Sequence, residues 1–134
     1  MPSITDLVGE VGAKLDGCLA AGVIDLGSGM ILGMYHIVPH FTQAYLDAVA
    51  AAAVDMFRGR TVRRVEQMLS EAHGMEIKDS FEEIFISSSH VYHFMVVIKG
   101  KDAIVIVVTK KTVNQGMGWA VLRSNLKLIE NALP

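Results

Sequence analysis

VYHFMVVIK (Val91–Lys99), GKD (Gly100–Asp102) and AIVIVVT (Ala103–Thr109) form the stretch on which the fold turns. Two runs of strand length, rich in β-branched and aromatic residues and joined by a short polar link, predict an antiparallel pair. Ile104 to Val108 is β-branched throughout, so that strand is expected at the centre of a sheet. Upstream, Phe81-Glu82-Glu83-Ile84-Phe85-Ile86 leads into the polar cluster Ser87-Ser88-Ser89-His90. Together the three β-rich segments read as an antiparallel meander.

A second β region precedes it. Cys18–Leu26 (CLAAGVIDL) and Met30–Val38 (MILGMYHIV) flank Gly27-Ser28-Gly29, two apolar runs around a glycine-containing turn, the pattern of a hairpin. Runs this apolar predict strands covered on both faces, or covered on one by a partner.

Helical spacing fills the rest. Ser3 to Asp16 opens with a capping box, Ser3-Ile4-Thr5-Asp6, carries Ile4, Leu7, Val8, Val11 and Leu15 on one stripe, and stops at Gly17. From Thr42, Leu46, Val49, Ala50, Ala53, Val54 and Phe57 share a face. The small alanines allow close approach of a second element, and alanine is the strongest helix former. Arg58-Gly59-Arg60 interrupts the pattern, after which Val62, Val65, Met68, Leu69 and Ala72 continue it to His73-Gly74. One kinked helix or two successive helices satisfy this spacing. Asn114 is a good N-cap for a last helix, Gln115 to Ala132. There Trp119, Leu122, Leu126, Ile129 and Leu133 form a 3-4-3-4 seam, widened by Val121 and Leu128. That seam is either core or a partner groove.

The order is α-β-β-α(α)-β-β-β-α. Strands without parallel crossovers, with helices in groups, predict an α+β two-layer sandwich around a five-stranded antiparallel sheet. No linker or repeat divides residues 1–134, which read as a single domain.

Composition narrows the function. Apolar residues and glycine reach about 58% once tyrosine is set aside, above the usual ~45–50%. A chain of 134 residues with that surplus either holds a large core or hides part of it in a subunit interface. The net charge of −2 argues against a nucleic-acid partner, which requires many phosphate-neutralising cations on one face. One cysteine, Cys18, points to a reducing compartment. No cationic and apolar leader is visible, and no apolar run is long enough for membrane insertion. The expected location is cytoplasmic.

Chemical motifs are weak. Gly27-Ser28-Gly29-x-x-x-Gly33 lacks the helix that a dinucleotide loop must open. Gly100-Lys101 lacks the flanking residues of a phosphate loop. Pro39 stands between His36 and His40 and prevents their alignment on one helix. His90 and His93, three apart, are expected on opposite faces of a strand. No metal site and no cofactor is expected. Ser87-Ser88-Ser89-His90 offers hydroxyls beside an imidazole but no orienting third group. Glu82 and Glu83, being adjacent, diverge, and Cys18 in an apolar strand keeps a high pKa. Arg58, Arg60, Arg63 and Arg64 are the densest charge feature, either a solvated face or a basic patch for partner docking.

Element order and residues together resemble the roadblock/dynein light chain family, whose fold is profilin-like. The carriers are Gly22-Val23-Ile24-Asp25 with Gly27-Ser28-Gly29-Met30-Ile31-Leu32-Gly33, the strand Ala103–Thr109, and Asn114-Gln115-Gly116-Met117-Gly118 at the start of the last helix. Arg58 to Asp79 is longer than in a minimal member. The resemblance implies a homodimer or heterodimer in which middle helices pack together and edge strands join two sheets. It also implies a non-enzymatic adaptor of motors or a regulator of Ras-like GTPases. On that reading Ala50, Ala53, Val54 and Phe57 are the expected dimer contact. The alternative is a small-molecule sensor, its pocket lined by His36, Tyr92 and His93. An enzyme would need convergent polar residues that the sequence does not display.

Overall fold

The structure is a computed structural model and describes residues 2–134. Helix α1 (Ile4–Lys14) starts from the expected capping box: Ser3 Oγ accepts from the Asp6 N–H, and Asp6 Oδ2 accepts from the Ser3 N–H, both at 3.1 Å. Strands β1 (Cys18–Asp25) and β2 (Ile31–His36) pair antiparallel. Their turn is built by the Asp25 carboxylate, which accepts from the Ser28 N–H and hydroxyl. Gly29 closes it at φ +75°, in left-handed backbone that glycine enters without steric cost.

The middle region is two helices, α2 (Gln43–Arg58) and α3 (Arg60–His73). Gly59 is at once the C-cap of α2 and the N-cap of α3, with extended backbone. A Cβ there would run into the Asp55 carbonyl, so glycine permits the break. Strands β3 (Glu83–Ser87), β4 (Val91–Ile98) and β5 (Ala103–Lys110) form the meander, and α4 (Gln115–Ala132) ends the fold. Asn114 Oδ1 caps α4 by accepting from the Met117 N–H at 3.0 Å.

All five strands are antiparallel in the order β2-β1-β5-β4-β3. β5 is the centre, as its β-branched composition requires, and is buried from Ala103 to Thr109. Alternate residues of β1, β4 and β5 feed two separate cores. Val23, Phe94, Val105 and Val107 pack with Leu7, Val8 and Val11 of α1 and Leu122 and Ile129 of α4. Ile24, Met95, Ile104 and Ile106 pack with Ala50, Ala53 and Phe57 of α2.

Helices therefore lie on both faces of the sheet, and the expected two layers become three. The central strands are apolar at every position and need cover on both sides. The α+β class and the five-stranded antiparallel sheet stand. The Trp119–Leu133 seam is core: Leu122 and Ile129 are fully buried and Trp119 packs edge-on against Phe94 at 5.3 Å. Leu128 is off that seam and exposed.

Candidate functional site

Helix α2 spends its apolar face on its own sheet. Ala50, Ala53 and Phe57 are 0–1% exposed in the isolated chain, and only Val54 of the expected dimer residues is half-buried. Side chains with no remaining surface cannot form a contact with a second copy. The expected contact at Ala50, Ala53 and Phe57 is thus corrected: these residues are core.

The second stripe of the middle region behaves differently. No residue of α3 joins either core. Val65, Met68 and Leu69 are 42%, 56% and 39% exposed, and Ala72 and Met75 beside them are exposed too. Positions 65, 68, 69 and 72 follow the i, i+3, i+4, i+7 rule of one helix face. The sequence displayed this stripe but did not separate it from that of α2. The signal was Gly59, because a break there frees the second helix from the direction of the first.

A charge network fixes α3 in place. Arg58, whose side chain is largely buried, reaches Asp102 Oδ1 at 2.7 Å and Asp79 Oδ1 at 3.3 Å. Arg63 pairs with Asp79 and with Glu66. Glu66 is the one buried residue of α3, and its Oε2 accepts from the Ser80 N–H (2.7 Å) and hydroxyl (2.6 Å). Burial alone would push Glu66 up, but the Ser80 hydroxyl and N–H together with Arg63 outweigh it and hold the carboxyl below its ordinary value. The Arg63 hydrogen bond holds Asp79 low as well. The expected four-arginine patch is thereby split. Arg58 and Arg63 pin the 76–80 segment, and Arg60 and Arg64 form no ion pair among the described residues.

A second concave feature lies between the N-terminal half of α2 and the sheet, a cavity of about 470 Å³. His93 lines it, and so does His90, which corrects the expectation that they face apart. His90 belongs to the bend before β4, outside strand alternation, where Ser88 accepts from and donates to Val91. Burial holds His93 below its ordinary imidazole value, and its Nδ1 is buried without a hydrogen-bond partner. The other two residues expected there do not line the cavity. His36 packs on Phe41 at 5.6 Å, and Tyr92 lies on the opposite face with Phe85 and Phe94.

The remaining polar groups do not converge. Ser88 Oγ is engaged by its own turn. Glu82 pairs with Lys99, whereas Glu83 takes two hydrogen bonds from Arg123. Burial raises the Cys18 thiol to about 11, which suppresses thiolate chemistry. Among the described residues no cluster of three metal-ligating side chains occurs, and no helix is long and apolar enough to cross a membrane.

No protein-family model matches the sequence, and no curated protein does. Solved structures do. The Roadblock/LC7 domain from Streptomyces avermitilis superposes with a TM-score of 0.72 at 11% identity, covering 97% of this chain and 97% of that one. The chain has the roadblock/LC7 fold. The gliding protein MglB from Thermus thermophilus superposes with a TM-score of 0.71 at 15% identity, over 96% of this chain and 87% of that one. MglC from Myxococcus xanthus gives 0.58 at 16% identity, over 95% and 96%. The likeness is one of architecture. On the roadblock/LC7 scaffold of this chain, α2 covers the sheet and α3 is the element left with an uncovered apolar face.

Proposed function

We propose that the chain is a non-enzymatic, dimeric adaptor or regulatory protein of the roadblock type, which presents a surface built from two copies to a Ras-like GTPase or another protein partner. The observation that carries this reading is the α3 stripe of Val65, Met68, Leu69 and Ala72. A helix of 14 residues gains little stability by itself and depends on burying its apolar face. Two copies packed stripe to stripe would bury it and would absorb part of the apolar surplus.

Strand β3 supports the same arrangement. It pairs only with β4, so its outer edge keeps open backbone groups that a second sheet could extend. Arg60 and Arg64, four apart on α3, would then stand beside the joined helices as cations for an acidic or phosphate-bearing partner surface. One of the similar structures is described as MglB with tetrameric arrangement; it superposes with a TM-score of 0.70 at 16% identity, covering 97% of this chain and 90% of that one. It lends self-association on this scaffold further support.

The test is affinity capture of partners from the native cytosol with mass spectrometry, repeated with an Arg60→Ala/Arg64→Ala variant. Stoichiometric recovery of a Ras-like GTPase, lost in the variant, is the expected result. Capture of no GTPase would overturn that choice of partner.

A further inference from the structure

Charge runs along α3 against the dipole of the helix itself. The first turn holds Arg60 and Arg63 and no acidic residue, Arg64 follows at once, and Glu71 stands in the last turn. A helix is positive at its N-terminus and negative at its C-terminus, so both ends carry the unfavourable sign. Arg63 is answered within the chain by Asp79 and Glu66. Arg64 and Glu71 are exposed and form no ion pair among the described residues.

Their place beside the apolar stripe gives these two charges a direction. Thr61, Val65, Met68 and Ala72 follow the alternating 4-3-4 spacing of heptad positions d, a, d and a. Arg64 and Glu71, seven apart, then share position g on one flank of the stripe, and Val62 and Leu69 share position e on the other. The two-fold axis of an antiparallel helix pair keeps each flank on its own side of the seam, so g meets g. The axis of a parallel pair sends each flank to the opposite side, so g meets e. Only the antiparallel arrangement therefore sets Arg64 against a carboxylate. A parallel one would set both charges against Val62 and Leu69 and gather the arginine-rich ends.

We infer that α3 pairs with α3 of a second copy in the antiparallel sense, Arg64 bonding to the partner's Glu71 and Glu71 to the partner's Arg64. The inference rests on the dimeric reading above and fixes its orientation and its choice of partner. An axis crossing the middle of α3, between Glu66 and Gln67, stacks Val65 on the partner's Met68 and brings Val62 beside the partner's Leu69. Each contact then occurs twice, as two-fold symmetry requires. Opposed dipoles cancel, and each misplaced charge meets the helix end that favours it. The surface is thus complementary to itself, and a chain with like charges at those two places is rejected. Arg60 lies at position c, away from the seam. Arg64 has five N–H donors, and one carboxylate occupies two of them at most, so both arginines can still face a third protein.

The experiment is sedimentation equilibrium of the full chain, of Arg64→Glu, of Glu71→Arg, of the two variants mixed in equal amounts, and of the double variant Arg64→Glu/Glu71→Arg. Native mass spectrometry reads the composition of the pairs in the mixture. Each single variant sets like charges together twice and should dissociate about tenfold or more readily than the wild type. The mixture should form pairs with one copy of each variant, and the double variant should pair with itself as the wild type does. A dimeric wild type whose single variants pair equally well would overturn the inference and leave the dimeric reading standing. So would a mixture without mixed pairs, or a double variant that stays dissociated. A wild type at the mass of one copy would overturn both.

Discussion

Arg58 Nη1 donates to Asp102 Oδ1 at 2.7 Å, joining residues 44 positions apart and tying the end of α2 to the turn between β4 and β5. The same guanidinium lies 3.3 Å from Asp79, so one arginine holds the sheet, the helix break and the segment after α3 together. Arg58→Ala should cost about 1–2 kcal/mol, between the values of exposed and buried ion pairs. Urea unfolding would measure it, and Arg60→Ala should leave the midpoint nearly unchanged.

Ala53 tests whether the apolar face of α2 is core. It is 0% exposed against the sheet. Ala53→Glu would bury an unpaired carboxylate at a cost of several kcal/mol. Circular dichroism should show loss of the folded state, with no folded single-copy species. A well-folded variant would contradict the assignment of this position to the core.

Packing between α4 and the sheet makes a third prediction. A Cβ on Gly118 would come within 2.6 Å of the Phe94 ring, which is itself fully buried. Gly118→Ala gains up to ~1 kcal/mol of helix propensity but overpacks the core by ~1–3 kcal/mol. The thermal midpoint should fall by a few degrees. A rise would mean that α4 can shift away from β4.

Acid should destabilise the fold in two stages. His93 is held below its ordinary 6.5, so the unfolded chain takes up a proton first and stability declines as the pH falls below about that value. Glu66 and Asp79 are held below their ordinary 4.5 and 3.8, so their contribution is complete above those values and is lost as the pH falls through them. His93→Phe should flatten the upper stage and Glu66→Gln the lower one. Unfolding free energies measured across the acid range would separate them.

Much of this was legible in the residues. The β-branched run Ile104–Val108 placed the central strand, and Ser3 with Asp6 and Asn114 placed the starts of α1 and α4. Layering was less legible, because periodicity tells which helix face is apolar but not which side of a sheet it covers. For that reason Ala50, Ala53 and Phe57 could serve equally as core or as interface until the sheet was in view. Glu66 showed in the sequence only its i, i+3 spacing to Arg63; its burial and its partner Ser80 arise only once the turn after α3 folds back. His90 departs from the expected alternation because it sits in the bend before β4, where the two-residue period of a strand does not hold.

On the dimeric reading proposed above, α3 buries its apolar stripe against a second copy. Sedimentation equilibrium of the full chain, alongside a Val65→Glu/Met68→Glu variant, tests it most directly. The wild type should have the mass of two copies, and the variant should have the mass of one with its circular dichroism unchanged. A wild-type chain that stays at the mass of one copy at high concentration would contradict the account.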